Sequence, residues 1–136
     1  MKKMSTKKKV LSILLVLLCL LLIYAFRFNS SMKTILPKNP TYICLTGIST
    51  EPIVITEQKD INNLINTLKN NIQVTFSGIG NGNVDGFVYT LAIDKTYYVF
   101  HTEYLMKDFI KYGVTGNSNI DKVYNVFDEM IEKYSE

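Results

Sequence analysis

The chain has 136 residues, 47% of them hydrophobic, and a formal charge of +3. Five of its fifteen basic residues lie in the first nine positions, so the remainder carries ten bases against twelve acids, a net charge of −2. No Lys/Arg stripe with interleaved aromatics remains, and nucleic acid is excluded as an expected partner.

Residues 1–9 hold Lys2, Lys3, Lys7, Lys8 and Lys9 and no acid. Val10 to Phe26 is apolar apart from Ser12 and Tyr24, and Arg27 closes the run. At a rise of ~1.5 Å per residue this run reaches roughly 25 Å, slightly less than the ~30 Å hydrocarbon core. Lys9 and Arg27 can snorkel, and Tyr24, Phe26 and Phe28 suit the outer interface. The preceding lysines keep the N-terminus in the cytoplasm by the positive-inside rule. The expected layout is a basic cytoplasmic tail (1–9), a signal-anchor helix in the lipid bilayer (10–27), a tether (28–40) and an extracytoplasmic domain (41–136). Two processed forms compete with the retained anchor. Cleavage after Ala25 has Ile23 at −3 and bulky Phe26 following, inside the apolar run. Lipid attachment at Cys19 needs a small residue before the cysteine, where Leu18 stands.

The tether "NSSMKTILPKN" is rich in Ser and Asn, with Pro37 and Pro40 bracketing its end. "TYICLTG" reads as a strand. Gly47 to Pro52 turns the chain into the short strand Ile53–Ile55, whose continuous apolar character implies burial on both faces. In "TEQKDINNLINTLKNNI" the positions Ile61, Leu64, Ile65, Leu68 and Ile72 form one helical stripe. Thr56 is the expected N-cap, with Glu57 and Asp60 at the positive end of the dipole. "QVTFSG" alternates as a third strand. "FVYTLAI" and "TYYVFH" flank Asp94-Lys95 as a hairpin, the loop expected to run a residue or two longer because Asp-Lys is not a preferred turn pair. Leu105, Met106, Phe109, Ile110 and Tyr112 fit a short helix ended by Gly113. A final helix from Ile120 to about Tyr134 carries the stripe Ile120, Val123, Tyr124, Phe127, Met130, Ile131 and Tyr134, with Ser118 and Asp121 imitating a capping box. The order ββαβββαα makes the fold class α+β: a small mixed or antiparallel sheet with helices on one face.

Few residues nominate chemistry. Cys19 and Cys44 are separated by the bilayer boundary and form no internal disulfide framework. Cys44 reads as a small apolar strand residue; an intermolecular or redox role needs exposure and a lowered pKa. "NGNVDG" places Asn81, Asn83, Asp85 and Gly86 at calcium-loop spacing, but Ala92 stands where the closing Glu belongs, so a glycine-rich turn is expected. His101 is the only histidine and reads as a solvated hairpin-end residue. No GxSxG, HExxH, CxxC or SxxK motif occurs. No cofactor or metal, and no enzymatic activity, is expected. Phe87, Tyr89, Tyr97, Tyr98 and His101 form the candidate interaction surface, Tyr97 and Tyr98 on opposite faces of one strand. The competing reading makes the tyrosines cross-strand pairs that stabilise the sheet.

"ICLTGISTEPIVITEQKDINNLINTLKN" resembles small membrane-anchored or lipoprotein-type extracytoplasmic proteins of Gram-positive bacteria, in which a "V-x-I-T-(D/E)" strand end precedes an amphipathic helix. The likeness covers about a third of the outer domain, and the absent lipobox departs from the lipoprotein members. It implies an extracytoplasmic location and carries over no functional residue. The expected function is a membrane-tethered, non-enzymatic interaction module that binds an envelope protein or peptide. The alternative is a domain, anchored or released by cleavage, that binds a small ligand or peptide in a pocket between the sheet and the 103–112 helix.

Overall fold

The computed structural model describes residues 5–28, 31–80, 86–116 and 118–135. The apolar leader forms helix α1 (Thr6–Phe28), about 34 Å long at ~1.5 Å per residue. Thr6–Ala25 is long and apolar enough to cross a bilayer, and none of it is buried. The same length and composition suit a signal sequence near an N-terminus.

The expected tether does not run free. Ser31 bridges Gln73, and Met32–Ile35 forms one helical turn, α2. Thr34 Oγ1 donates to the Ser31 carbonyl at 2.7 Å and accepts from Ser31 N at 3.3 Å. Met32, Ile35 and Leu36 are almost fully buried in the main core. Their i, i+3, i+4 spacing gives a short apolar edge, which the domain covers.

Seven strands follow in one antiparallel sheet: β1 (Ile43–Gly47), β2 (Ile53–Ile55), β3 (Val74–Ile79), β4 (Tyr89–Ile93), β5 (Thr96–Phe100), β6 (Tyr104–Lys107) and β7 (Ile110–Val114). Their spatial order is β2-β1-β4-β5-β6-β7-β3. The two other helices are α3 (Gln58–Asn71) and α4 (Ile120–Tyr134). The fold class is α+β, but the element order differs from the one expected. Residues 103–112 are not a helix. Tyr104–Lys107 pairs with Ile110–Val114 as a hairpin turning at Asp108-Phe109. Asp108 takes a left-handed φ of 51° and Asp94 does the same in the β4–β5 turn, a conformation that Asp tolerates better than most residues. The Asp94-Lys95 turn is therefore the minimal two residues, with Ile93 facing Thr96. The Asp94 carboxylate locks it by accepting from Thr41 N, Thr41 Oγ1 and Tyr42 N at 3.0, 2.8 and 3.2 Å.

All five stripe residues of α3 are buried, a gross gain of roughly 8–15 kcal/mol before chain entropy is charged. Val123, Phe127 and Met130 of α4 join the same cluster, and Ile120, Tyr124, Ile131 and Tyr134 pack on its margin. The strands contribute one alternation class: Ile43, Leu45, Ile53, Ile55, Val74, Leu91, Ile93, Tyr98, Phe100, Leu105 and Tyr112. Phe127 anchors the centre, with T-shaped contacts to Tyr89 and Phe100 at 5.0 and 5.3 Å. β2 is an edge strand rather than one buried on both faces, and Val54 points outward.

The caps differ from those expected. Glu57 rather than Thr56 occupies the N-cap of α3. Asn119 caps α4 by accepting from Lys122 N. Ser118 instead binds the backbone of Gln73, accepting from its N–H at 2.8 Å and donating to its carbonyl at 3.2 Å. The end of α4 is joined to the start of α3: Lys133 Nζ and Tyr134 Oη, in the last turn of α4, donate to Asp60 Oδ2 at 2.5 and 2.6 Å.

Candidate functional site

The strand positions that alternate with the core point to the other side of the sheet. The registers place them in rows. One row runs Val54, Cys44, Ala92, Tyr97. The next runs Thr46, Thr90, Val99, Met106, Lys111. A third holds Tyr104, Gly113 and Thr75. Val54 and Tyr97 are exposed at 55% and 46%, which sets them apart from the half-buried residues between them. Val99 and Met106 are buried without belonging to the main core cluster. The cause for Met106 is close backbone. A Cβ at Gly80 would stand 2.2 Å from Met106 Cε, so a larger residue there would displace the flexible end of this methionine.

The five residues of the expected surface do not form one patch. Tyr97 alone stands exposed on the outward face. Tyr98 is fully buried on the opposite face, and its hydroxyl donates to the Ile35 carbonyl at 2.6 Å. That split between neighbours follows from strand alternation. Burial raises the Tyr98 phenol well above its ordinary value. Tyr89 lies in the core between Tyr124 and Phe127, its hydroxyl donating to Asp128. Its pKa is raised first by burial and then by that carboxylate. Phe87 is half-buried in the segment entering β4.

His101 is not the solvated hairpin-end residue that was expected. It is 5% exposed, stacked on Tyr104 with centroids 4.0 Å apart. Its carbonyl accepts from Tyr124 Oη at 2.9 Å, and its buried Nε2 has no hydrogen-bond partner among the described residues. Desolvation lowers the imidazole pKa, Lys111 lowers it further, and a bond to the Gly86 backbone opposes both. Lys111 Nζ stands 4.3 Å from the Tyr104 ring centroid, within cation–π range. Glu103 is exposed beside this group. The calcium-spaced Asn81, Asn83 and Asp85 lie outside the described residues. Among the described residues, no group of three or more His, Cys, Asp or Glu is placed to hold a metal ion.

Sequence reasoning missed Val54, Ala92, Val99, Tyr104, Met106 and Lys111 as members of one face. The signal was period-two alternation in residues 104–114, hidden by apolar residues on both faces. Cys44 shares that face, half-buried. A separate groove of about 530 Å³ lies away from it, between the 37–41 segment and the polar side of α3. Asn39, Gln58, Asn62, Asn66 and Lys69 line it. A scan against protein-family models finds no match, and neither the curated proteins nor the solved structures show a similar chain.

Proposed function

We propose that the protein is a single-pass membrane protein with its N-terminus in the cytoplasm. Its α+β domain stands outside, as a non-enzymatic interaction module of the cell envelope. The helices cover one face of the sheet, and the other face docks on the extracytoplasmic part of a protein in the same membrane. The leader lysines, the apolar α1 and the resemblance to Gram-positive envelope proteins support this placement. The outward face carries the functional reading: Val54 and Tyr97 are exposed on it, and Ala92 and Cys44 continue the row between them. Tyrosine and aliphatic side chains on a flat surface suit the core of a protein interface.

The test is a photo-crosslinking amino acid at Val54, Tyr97 or exposed Asn63 of α3, in living cells. Adducts of one common size from Val54 and Tyr97, absent from Asn63, support docking by the sheet face. Adducts from Asn63 alone refute it. The second reading, a binder of a small ligand or peptide, rests on the amide-lined groove beside α3. Amide side chains both donate and accept, so they suit hydroxyl-rich or peptide ligands. The second reading predicts that Asn66→Asp and Lys69→Ala abolish ligand-observed NMR signals from such compounds.

A further inference from the structure

We propose that the groove beside α3 binds an acidic oligosaccharide, with its hydroxyls on the amides of the helix and an acid group at Lys69. This rests on ligand binding in the groove and is independent of docking by the sheet face. The groove holds about 530 Å³ between the 37–41 segment and α3. Clefts of about 300–1,000 Å³ are the usual size of small-molecule sites.

One wall of the groove is fixed from both ends. Leu36 is packed in the core and Pro40 is buried. The Asp94 carboxylate holds the following residue by accepting from Thr41 N and Thr41 Oγ1 at 3.0 and 2.8 Å. Between these attachments Asn39 takes a left-handed φ of 52°, directly before Pro40. A proline pushes the residue before it toward extended conformations, so this backbone is strained. Residues 37–39 therefore stand as a set wall, α3 is the opposite one, and buried Ile65 lines the space between.

The helix wall carries the chemistry. Gln58, Asn62 and Asn66 recur every four residues, so their amides form a row with steps of about 6 Å. Lys69 ends that row about 16 Å from Gln58. Gln58 Nε2 donates to Asn62 Oδ1 at 2.9 Å, which leaves Gln58 Oε1 and Asn62 Nδ2 open. The side chains of Asn39, Asn66 and Lys69 have no partner among the described residues. An amide donates and accepts at once, as neighbouring sugar hydroxyls do, so the row matches a repeating sugar chain. An extended peptide is held instead by a free strand edge and side-chain pockets, and a helix wall offers no such edge. Charge selects an acid. No Asp or Glu lines the groove. Glu57 and Asp60 of α3 pair with Lys133 instead, at 3.5 and 2.5 Å. Lys69 is the one ionised lining residue, and exposed Lys38 adds a second cation to the opposite wall.

The test is saturation-transfer difference NMR on the full-length protein in phosphatidylcholine nanodiscs. The acidic probes are tetragalacturonate and a hyaluronan tetrasaccharide. Maltotetraose is the uncharged sugar, and tetraglutamate is the acid without hydroxyls. The expected result is transfer to the ring protons of both acidic sugars, weaker binding of maltotetraose, and none of tetraglutamate. Lys69→Gln should weaken the acidic sugars about tenfold, the scale of one lost charge-assisted hydrogen bond, and leave maltotetraose unchanged. Asn66→Ala should weaken all three sugars. Neither side chain holds the fold, so both variants should melt with the parent protein. Equal binding of charged and uncharged sugars, or acidic-sugar binding untouched by Lys69→Gln, overturns the proposal while ligand binding stands. Tetraglutamate bound in place of the sugars overturns it in favour of an acidic peptide. Silence from all four probes removes the proposal and the ligand-binding reading together.

Discussion

Met32→Ala separates a folded 32–36 segment from a free tether. Met32 is 1% exposed, beside Ile35 and Leu36 at 4% and 5%. Truncating a buried methionine to alanine costs about 2–5 kcal/mol, through lost transfer energy and the cavity left behind. For a domain of this size each kcal/mol moves the melting temperature by about 4–8 °C. The expected drop is at least ~8 °C, a large part of a typical stability of about 5–15 kcal/mol. A surface substitution in a true tether stays within about 0.5 kcal/mol, or under ~4 °C. The assay is thermal unfolding of the full-length protein in detergent, followed by near-ultraviolet circular dichroism of the tyrosines. Eight of the nine tyrosines lie outside α1, so that signal reports chiefly the domain and not α1, which remains helical in the micelle. A melt within ~4 °C of the parent protein refutes the packing of α2. Lys33→Ala on the exposed side of the same turn supplies the comparison.

Leu64→Asp places a carboxylate at a fully buried α3 position and should abolish cooperative unfolding; an unchanged melt would refute the α3 stripe. Hydrogen bonds from Lys133 and then Tyr134 hold the Asp60 carboxyl below its ordinary value of 3.8. Its contribution is present above that value and lost as pH falls through the lower folded-state value, so Asp60→Asn should flatten the acid limb of a stability–pH curve. Burial first, with Lys111, lowers the His101 pKa from its ordinary 6.5. The unfolded chain then binds the proton more tightly, so stability falls as pH drops below about 6.5 toward the folded value. His101→Phe should remove that slope, and its persistence in the variant would assign the slope to another group.

The α3 and α4 stripes were legible because one apolar face against one polar face leaves a single helical solution. Val123, Phe127 and Met130 lie where their spacing put them. The β4–β5 hairpin was legible from alternation and β-branched content, and the split between Tyr97 and Tyr98 followed. The β6–β7 hairpin was not. Leu105 and Tyr112 face the core, but Met106 points outward beneath Gly80 and Phe109 occupies the turn. With apolar residues on both faces, the segment imitates a helical stripe. Asp108-Phe109 also lacks the glycine that marks a tight turn. Gly113, read as a helix end, lies mid-strand opposite Thr75. Met32, Ile35 and Leu36 were hidden by the Ser, Asn and Pro around them, and tertiary burial overrode that local composition. The candidate surface was only partly legible. Naming Tyr97 needed one strand, whereas assembling the face with Val54, Met106 and Lys111 needed the order of all seven.

That order has a consequence for how the chain is completed during synthesis. α3 leads from β2 at one edge of the sheet to β3 at the other, across a middle not yet made. β3 waits for β7, its strand partner, until Ile110–Val114 has emerged. Meanwhile β1 and β2 can pair, but α3 has no finished sheet to cover. Contacts so distant in sequence form late and leave apolar edges open in the interval. A chain stalled before Ile110 would therefore present β3 unpaired beside α1, and the domain becomes a closed unit only when nearly the whole chain has been delivered.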